Sequence, residues 1–197
     1  MIAIVDTGGA NHASIQNALK RLGRESVVSL DRDVLSRGSH LILPGVGHAG
    51  HAMDRLNSAG LPEFLRAQKK PMLGICLGMQ ILFETSEEGG SRCLGLLPGQ
   101  VTRLQPAENF RVPHMGWSRL ETSSPSRLLK GIRPEAYFYF VHSFAVPNGE
   151  WIRASASGPK PIPSILEWQS IFATQFHPER SGPDGARLLE NFLAEGL

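Results

Sequence analysis

The stretch Pro71-Met72-Leu73-Gly74-Ile75-Cys76-Leu77-Gly78-Met79-Gln80 constrains this chain more than any other. An apolar run stops at a cysteine bracketed by Gly74 and Gly78, and a helix-prone segment, Leu77 to Phe83, follows at once. Gly-x-Cys-x-Gly between a strand and a helix is the cysteine form of the nucleophile elbow. Small residues must flank the nucleophile because backbone segments crowd at so tight a turn. The turn lifts the thiol out of the sheet edge and sets it at a helix N-terminus, where unpaired amides favour a thiolate. Alone, the pattern also fits a buried structural cysteine; a base and an oxyanion hole must come from elsewhere in the chain.

The elements around the elbow point to an α/β fold. Ile2 to Val5, Glu25 to Leu30, Leu41 to Leu43 and Met72 to Ile75 read as short apolar strands. Between them, Ala13 to Leu22, Ala49 to Leu56 and Leu61 to Gln68 read as helices. Ile15, Leu19 and Leu22 share a face of the first, and Gly23 ends it. This alternation predicts a mostly parallel central sheet flanked by helices on both faces. Chemistry then gathers at the carboxyl ends of the strands, where Asp6, Pro44-Gly45-Val46-Gly47 and Cys76 all fall. The turn Asp6 to Asn11 is Gly-rich but lacks Gly-x-Gly-x-x-Gly, which argues against a dinucleotide site.

After Thr85 the pattern changes to short strands, loops and frequent proline. Gln100 to Leu104, Tyr137 to Val141, Trp151 to Ala156, Ile165 to Trp168 and Ile171 to Gln175 predict an added antiparallel portion, and Asp184 to Ala194 a closing helix. A single domain over 1–197 suits the length.

The formal charge of +2 comes without a basic tract, so neither nucleic acid nor a membrane surface is an expected partner. The N-terminal run lacks the pattern of a signal peptide, and no apolar run is long enough to span a bilayer. Two cysteines, Cys76 and Cys93, make no disulfide framework; a cytoplasmic protein is expected, with Cys93 a bystander. His48, His51 and His114 lack carboxylate or cysteine partners at ligand spacing, so no metal is expected.

His177 and Glu179 flank Pro178 just past the last predicted strand. Residues two apart on an extended segment point the same way, and proline favours an extended His177. Glu179 can then hold one imidazole nitrogen while the other faces a thiol. In Pro44-Gly45-Val46-Gly47, glycines let backbone amides approach a ligand closely. Amides near Val46 and Gly47, with that of Leu77, could hold an oxyanion. Each piece alone also fits a plain loop or turn.

Three motifs in this order, Pro44 to Gly47, Gly74 to Gln80 and Gln175 to Glu179, resemble those of the class I glutamine amidotransferases. The resemblance implies a Cys76-His177-Glu179 triad that releases ammonia from glutamine, with no cofactor. It implies oxyanion donors at Val46, Gly47 and Leu77, and glutamine contacts at Gly47, Gln80, His142 and Ser143. Ile2 to Asp6 with Asn11, Pro113 to Trp117, Tyr139 to Ser143 and His177 to Ser181 resemble the glutaminase subunits of imidazole glycerol phosphate synthases, enzymes of histidine biosynthesis. This narrower resemblance implies a heterodimer with a (β/α)8-barrel cyclase, with Asn11, Met115, Trp117 and Arg180 facing the cyclase or the ammonia exit. Ser118, Thr7 and His12 stand where these subunits usually carry Asn, Tyr and Leu. Trp117, Tyr139 and Phe140 also fit a core role and Met115 a gap-filling one. Alternative readings are an amidotransferase subunit serving another pathway, a binding module that keeps the triad without using it, and a cysteine peptidase.

Overall fold

A computed structural model describes residues 1–9 and 11–196; Ala10, inside the expected Asp6 to Asn11 turn, lies outside the described residues. In chain order the first half runs β1 (Ile2–Val5), α1 (His12–Arg21), β2 (Ser26–Ser29), α2 (Arg32–Arg37), β3 (His40–Leu43), α3 (Ala49–Ser58), α4 (Pro62–Arg66), β4 (Met72–Ile75) and α5 (Leu77–Gln80). The second half runs β5 (Thr85–Ser86), β6 (Ser91–Arg92), β7 (Gln100–Arg103), β8 (His114–Thr122), β9 (Tyr137–His142), β10 (Phe144–Ala145), β11 (Ile152–Ala156), β12 (Ile162–Trp168), β13 (Ile171–Thr174) and α6 (Gly182–Leu193).

Nine strands form one sheet in the order β2-β1-β3-β4-β13-β12-β11-β8-β9. The first five pair in parallel, and from β13 to β9 every pairing is antiparallel. The switch has a chain-length cause. Parallel neighbours need crossovers, which α1 to α4 supply among β1 to β4 and the long stretch from α5 to β12 supplies between β4 and β13, whereas β12 and β13 are joined by a tight turn that only antiparallel strands accept. A second, smaller sheet has the order β10-β7-β5-β6.

Every residue of β1, β3 and β4 is buried. Alternate side chains fill two cores. Ile2, Ile4, Ile42, Leu73 and Ile75 pack under α1 and α6 with Ile15, Leu19, Leu188 and Phe192. Ala3, Val5, Leu41, Leu43 and Met72 pack under α3 and α4 with Met53, Leu56 and Leu65. This is the α/β arrangement expected, with the parallel sheet covered on both faces.

Six elements differ from expectation. The helix after Cys76 is one α-turn rather than Leu77 to Phe83; beyond Gln80 the amides of Leu82 and Phe83 bond three residues back, to Met79 and Gln80. The chain tightens there because it must turn at once into β5. The α2 helix has one buried apolar residue, Leu35, and is held by Asp31, whose carboxylate caps the amides of Asp33 and Val34. The strands β5, β6 and β10 are two residues each, too short to show a period. The sixth, β8, is the longest strand among the described residues.

Candidate active site

Cys76 follows β4 with φ at +54° and ψ at −109°, a conformation costly for any residue with a Cβ. The surroundings hold it there. A Cβ on Gly78 would sit 1.7 Å from the Leu43 carbonyl oxygen, and one on Gly74 would sit 2.8 Å from the carbonyl oxygen of Gly78. Glycine is required at both positions because β3, β4 and α5 pack backbone against backbone. The thiol is buried, with Gln175 Nε2 at 3.7 Å and the Val141 carbonyl at 3.8 Å.

His177 and Glu179 come from the turn after β13. Glu179 Oε1 lies 2.8 Å from His177 Nδ1, and both side chains are almost wholly buried. His177 Nε2 is buried without a hydrogen-bond partner, and the ring opens on a cavity of about 340 Å³ that Cys76 also lines. Burial lowers the imidazole pKa, but the Cys76 sulfur and the Glu179 carboxylate outweigh it and raise the pKa to about 10. The arrangement can move a proton between a thiol and an imidazole whose tautomer a carboxylate fixes.

The Asn11 side chain is buried beside this pair; Nδ2 bonds Glu179 Oε1 and lies 3.4 Å from His177 Nδ1. Its amide therefore orients the carboxylate instead of capping α1. Arg180 is exposed and reaches Asn11 Oδ1 at 3.4 Å. Asn11, Val46, Val141, His177 and Arg180 line a second opening of about 150 Å³, which shares Val46, Val141 and His177 with the larger cavity.

Val46, Gly47, Leu77, Gln80, His142 and Ser143 all line the larger cavity. Gly47 has φ at +99°, outside the usual range of residues other than glycine. The Leu77 amide, an expected oxyanion donor, is occupied by the Gly45 carbonyl at 3.3 Å. Gln80 Nε2 is held by the Phe144 carbonyl and by Gln175 Oε1, both at 3.0 Å, so its amide nitrogen braces the pocket floor.

Sequence reasoning missed Glu88 and Arg103, two charged residues that also line the cavity. They come from the small second sheet and the loop beside it, where nothing local distinguishes them from surface charges. It quoted Gln175 only as part of a motif. A larger cleft of about 750 Å³, lined by Arg66, Glu84 and Cys93 among others, lies elsewhere. There burial and the charge of Glu88 raise the Cys93 thiol to about 11, the reverse of what a nucleophile needs.

Met115 and Trp117 stand on β8 with side chains 65% and 54% exposed. Opposite them on β9, Val141 pairs with Met115 and Tyr139 with Trp117, whose rings meet edge to face at 5.9 Å. Tyr137 extends this apolar face. The same strand borders the Cys76–His177 pair: the Tyr139 carbonyl accepts the His177 backbone amide at 2.9 Å, and the Val141 carbonyl lies beside Cys76. The exposed face and these two residues are thus separated by the thickness of one strand.

A family model described as glutamine amidotransferase class-I matches residues 3–195. The chain belongs to the class I glutamine amidotransferase family. Among curated relatives of this amidotransferase, the imidazole glycerol phosphate synthase subunit HisH of Xylella fastidiosa strain Temecula1 is 50% identical, over 98% of this chain and 96% of that protein. HisH of Vibrio cholerae serotype O1 is 43% identical, over 98% and 97%. A crystal structure of a glutamine amidotransferase superposes with a TM-score of 0.76 at 22% identity, covering 98% of this chain and 96% of that one. That last likeness concerns the fold.

Proposed function

We propose that this amidotransferase is the glutaminase subunit of an imidazole glycerol phosphate synthase. It hydrolyses the side-chain amide of glutamine and passes the ammonia to a (β/α)8-barrel cyclase. The cyclase uses it to make imidazole glycerol phosphate and aminoimidazole carboxamide ribotide in histidine biosynthesis. The setting is cytoplasmic, in keeping with two free cysteines. The observation that carries the reading is the convergence of Cys76 and His177 on one cavity, with Glu179 and Asn11 behind the imidazole.

In this mechanism the thiol proton passes to His177 and the sulfur attacks the amide carbon of glutamine. The C–N bond breaks as His177 returns the proton to the departing nitrogen, leaving a thioester. Water, deprotonated by the same imidazole, then cleaves the thioester to glutamate. Glu88 and Arg103 suit the α-ammonium and α-carboxylate of the bound amino acid. The opening beside Asn11 and Arg180 suits ammonia leaving away from solvent-facing glutamine.

The Leu77–Gly45 hydrogen bond supports a low basal rate. Until that carbonyl turns away, one oxyanion donor is occupied, and losing one such donor costs about 10²–10³-fold in kcat. Docking of a barrel against Met115, Trp117 and Val141 would press on the strand that holds His177 and borders Cys76, giving the loop a reason to rearrange. The identity of the relatives named HisH favours the histidine pathway over other amidotransferase partners.

The test is ammonia release from glutamine by the purified chain and by Cys76→Ala, each mixed in turn with the loaded cyclase barrel and with acceptor subunits of other pathways. Release that needs Cys76 and rises only with the barrel is expected. Release that rises with a different acceptor would overturn the pathway, and release by Cys76→Ala at the wild-type rate would overturn the mechanism.

A further inference from the structure

Behind the docking strands lies a group of polar side chains with no role in the triad. His142 Nδ1 is 2.7 Å from the Phe144 carbonyl, and His142 Nε2 is 3.1 Å from His114 Nδ1. His114 Nε2 is 2.9 Å from Ser118 Oγ. These distances fix the protons. A carbonyl only accepts, so His142 Nδ1 carries hydrogen. In a neutral ring Nε2 is then bare and accepts from His114 Nδ1–H. His114 Nε2 is bare in turn and accepts from the Ser118 hydroxyl. One donor direction therefore runs from Ser118 through His114 and His142 to Phe144. Burial lowers both imidazole pKa values, His142 to about 3, which keeps one proton on each ring. The His114 ring is further fixed by stacking on Phe140, centroids 4.8 Å apart.

The chain ends on a backbone carbonyl, so it can deliver no proton to Cys76. What it can do is hold geometry. The Phe144 carbonyl that receives His142 also receives Gln80 Nε2 at 3.0 Å, and His142, Ser143, Phe144 and Gln80 all line the cavity. At the other end, His114 and Ser118 alternate along β8 with the exposed Met115 and Trp117. Resting on the reading of the cavity as a glutamine pocket, we infer that Ser118 and His114 are positioning residues that set the glutamine-facing end of β9 through His142.

The experiment is steady-state glutaminase kinetics of the complex with the loaded barrel. Removing one half-buried donor, as in Ser118→Ala, should raise KM for glutamine about fivefold to tenfold and leave kcat within about twofold. Ser118→Thr keeps the hydroxyl and should restore KM. His114→Phe should raise KM more than His114→Asn, whose amide keeps a donor near the Nδ1 position. Iodoacetamide alkylation of Cys76 and the barrel concentration at half-activation should stay at wild-type values in Ser118→Ala. An unchanged KM in Ser118→Ala, with wild-type kinetics normal, would overturn the inference alone. So would parallel loss of KM, kcat and alkylation without rescue by Thr, which marks a merely structural role. A wild-type complex with no glutamine hydrolysis would overturn both this inference and the function it rests on.

Discussion

The strands β4 and β8 are opposites. In β4 all four residues are buried, and the strand ends at the strained Cys76. In β8 burial alternates from His114 to Glu121, with Met115 and Trp117 in solvent and His114, Gly116 and Ser118 turned inward. A strand buried on both faces is fixed by its neighbours and can hold the residue at its end, here Cys76, in an unfavourable backbone conformation. A strand that shows its apolar residues to water has surface left over for a partner, and its inward polar residues can be spent on pocket geometry.

That contrast can be broken by mutation. The largest effect expected is from Cys76→Ala, which should lower glutamine hydrolysis by at least about 10³-fold with little change in the urea midpoint. Next, Leu73→Ala in β4 should cost about 2–5 kcal/mol of stability, whereas Trp117→Ala in β8 should cost about 0.5 kcal/mol or less. The same Trp117→Ala should weaken binding of the barrel by about 2 kcal/mol, read by titration calorimetry. Equal stability losses in the two strands would erase the distinction. Asn11→Ala, which removes a buried donor to the Glu179 carboxylate, should lower kcat by about tenfold or more while Cys76→Ala stays the deeper loss; kcat unchanged would remove Asn11 from the triad's support.

The smallest effect is on the pH profile of stability. His177 has a raised pKa, so the folded chain keeps a proton that the unfolded chain releases above pH 6.5. Its stabilisation is fully present below pH 6.5 and is lost as pH rises through about 10. His142 has a pKa depressed to about 3. Its contribution is fully present above pH 6.5 and is lost as pH falls toward 3. Urea midpoints should therefore fall on both sides of about pH 6.5, and His142→Asn should flatten the acid side. An unaltered acid limb in that variant would mean His142 is not the group refusing the proton.

The same contrast explains what the sequence reveals. β1, β3 and β4 announce themselves as apolar runs because each is buried on both faces, and the elbow and the His177-Pro178-Glu179 turn carry local signatures. β8 escapes notice because its pattern is inverted: Met115 and Trp117 point out, while His114, Gly116 and Ser118 point in. A reading that seeks apolar residues inside finds no strand there. Asn11 is legible as part of a motif but not as a partner of Glu179, since the two lie far apart in the chain and no local period connects them. Glu88 and Arg103 are illegible for the same reason, being brought to the cavity by the small second sheet. Long-range placement of polar groups is what local patterning does not encode.

The most direct test of the account is the glutaminase rate of the isolated chain against that of the chain with saturating loaded barrel, with Trp117→Ala alongside. Expected are a low rate alone, a large rise with the barrel, and for Trp117→Ala the same plateau reached only at higher barrel concentration. An isolated chain already working at the full rate, or a Trp117→Ala titration that overlays the wild type, would contradict it.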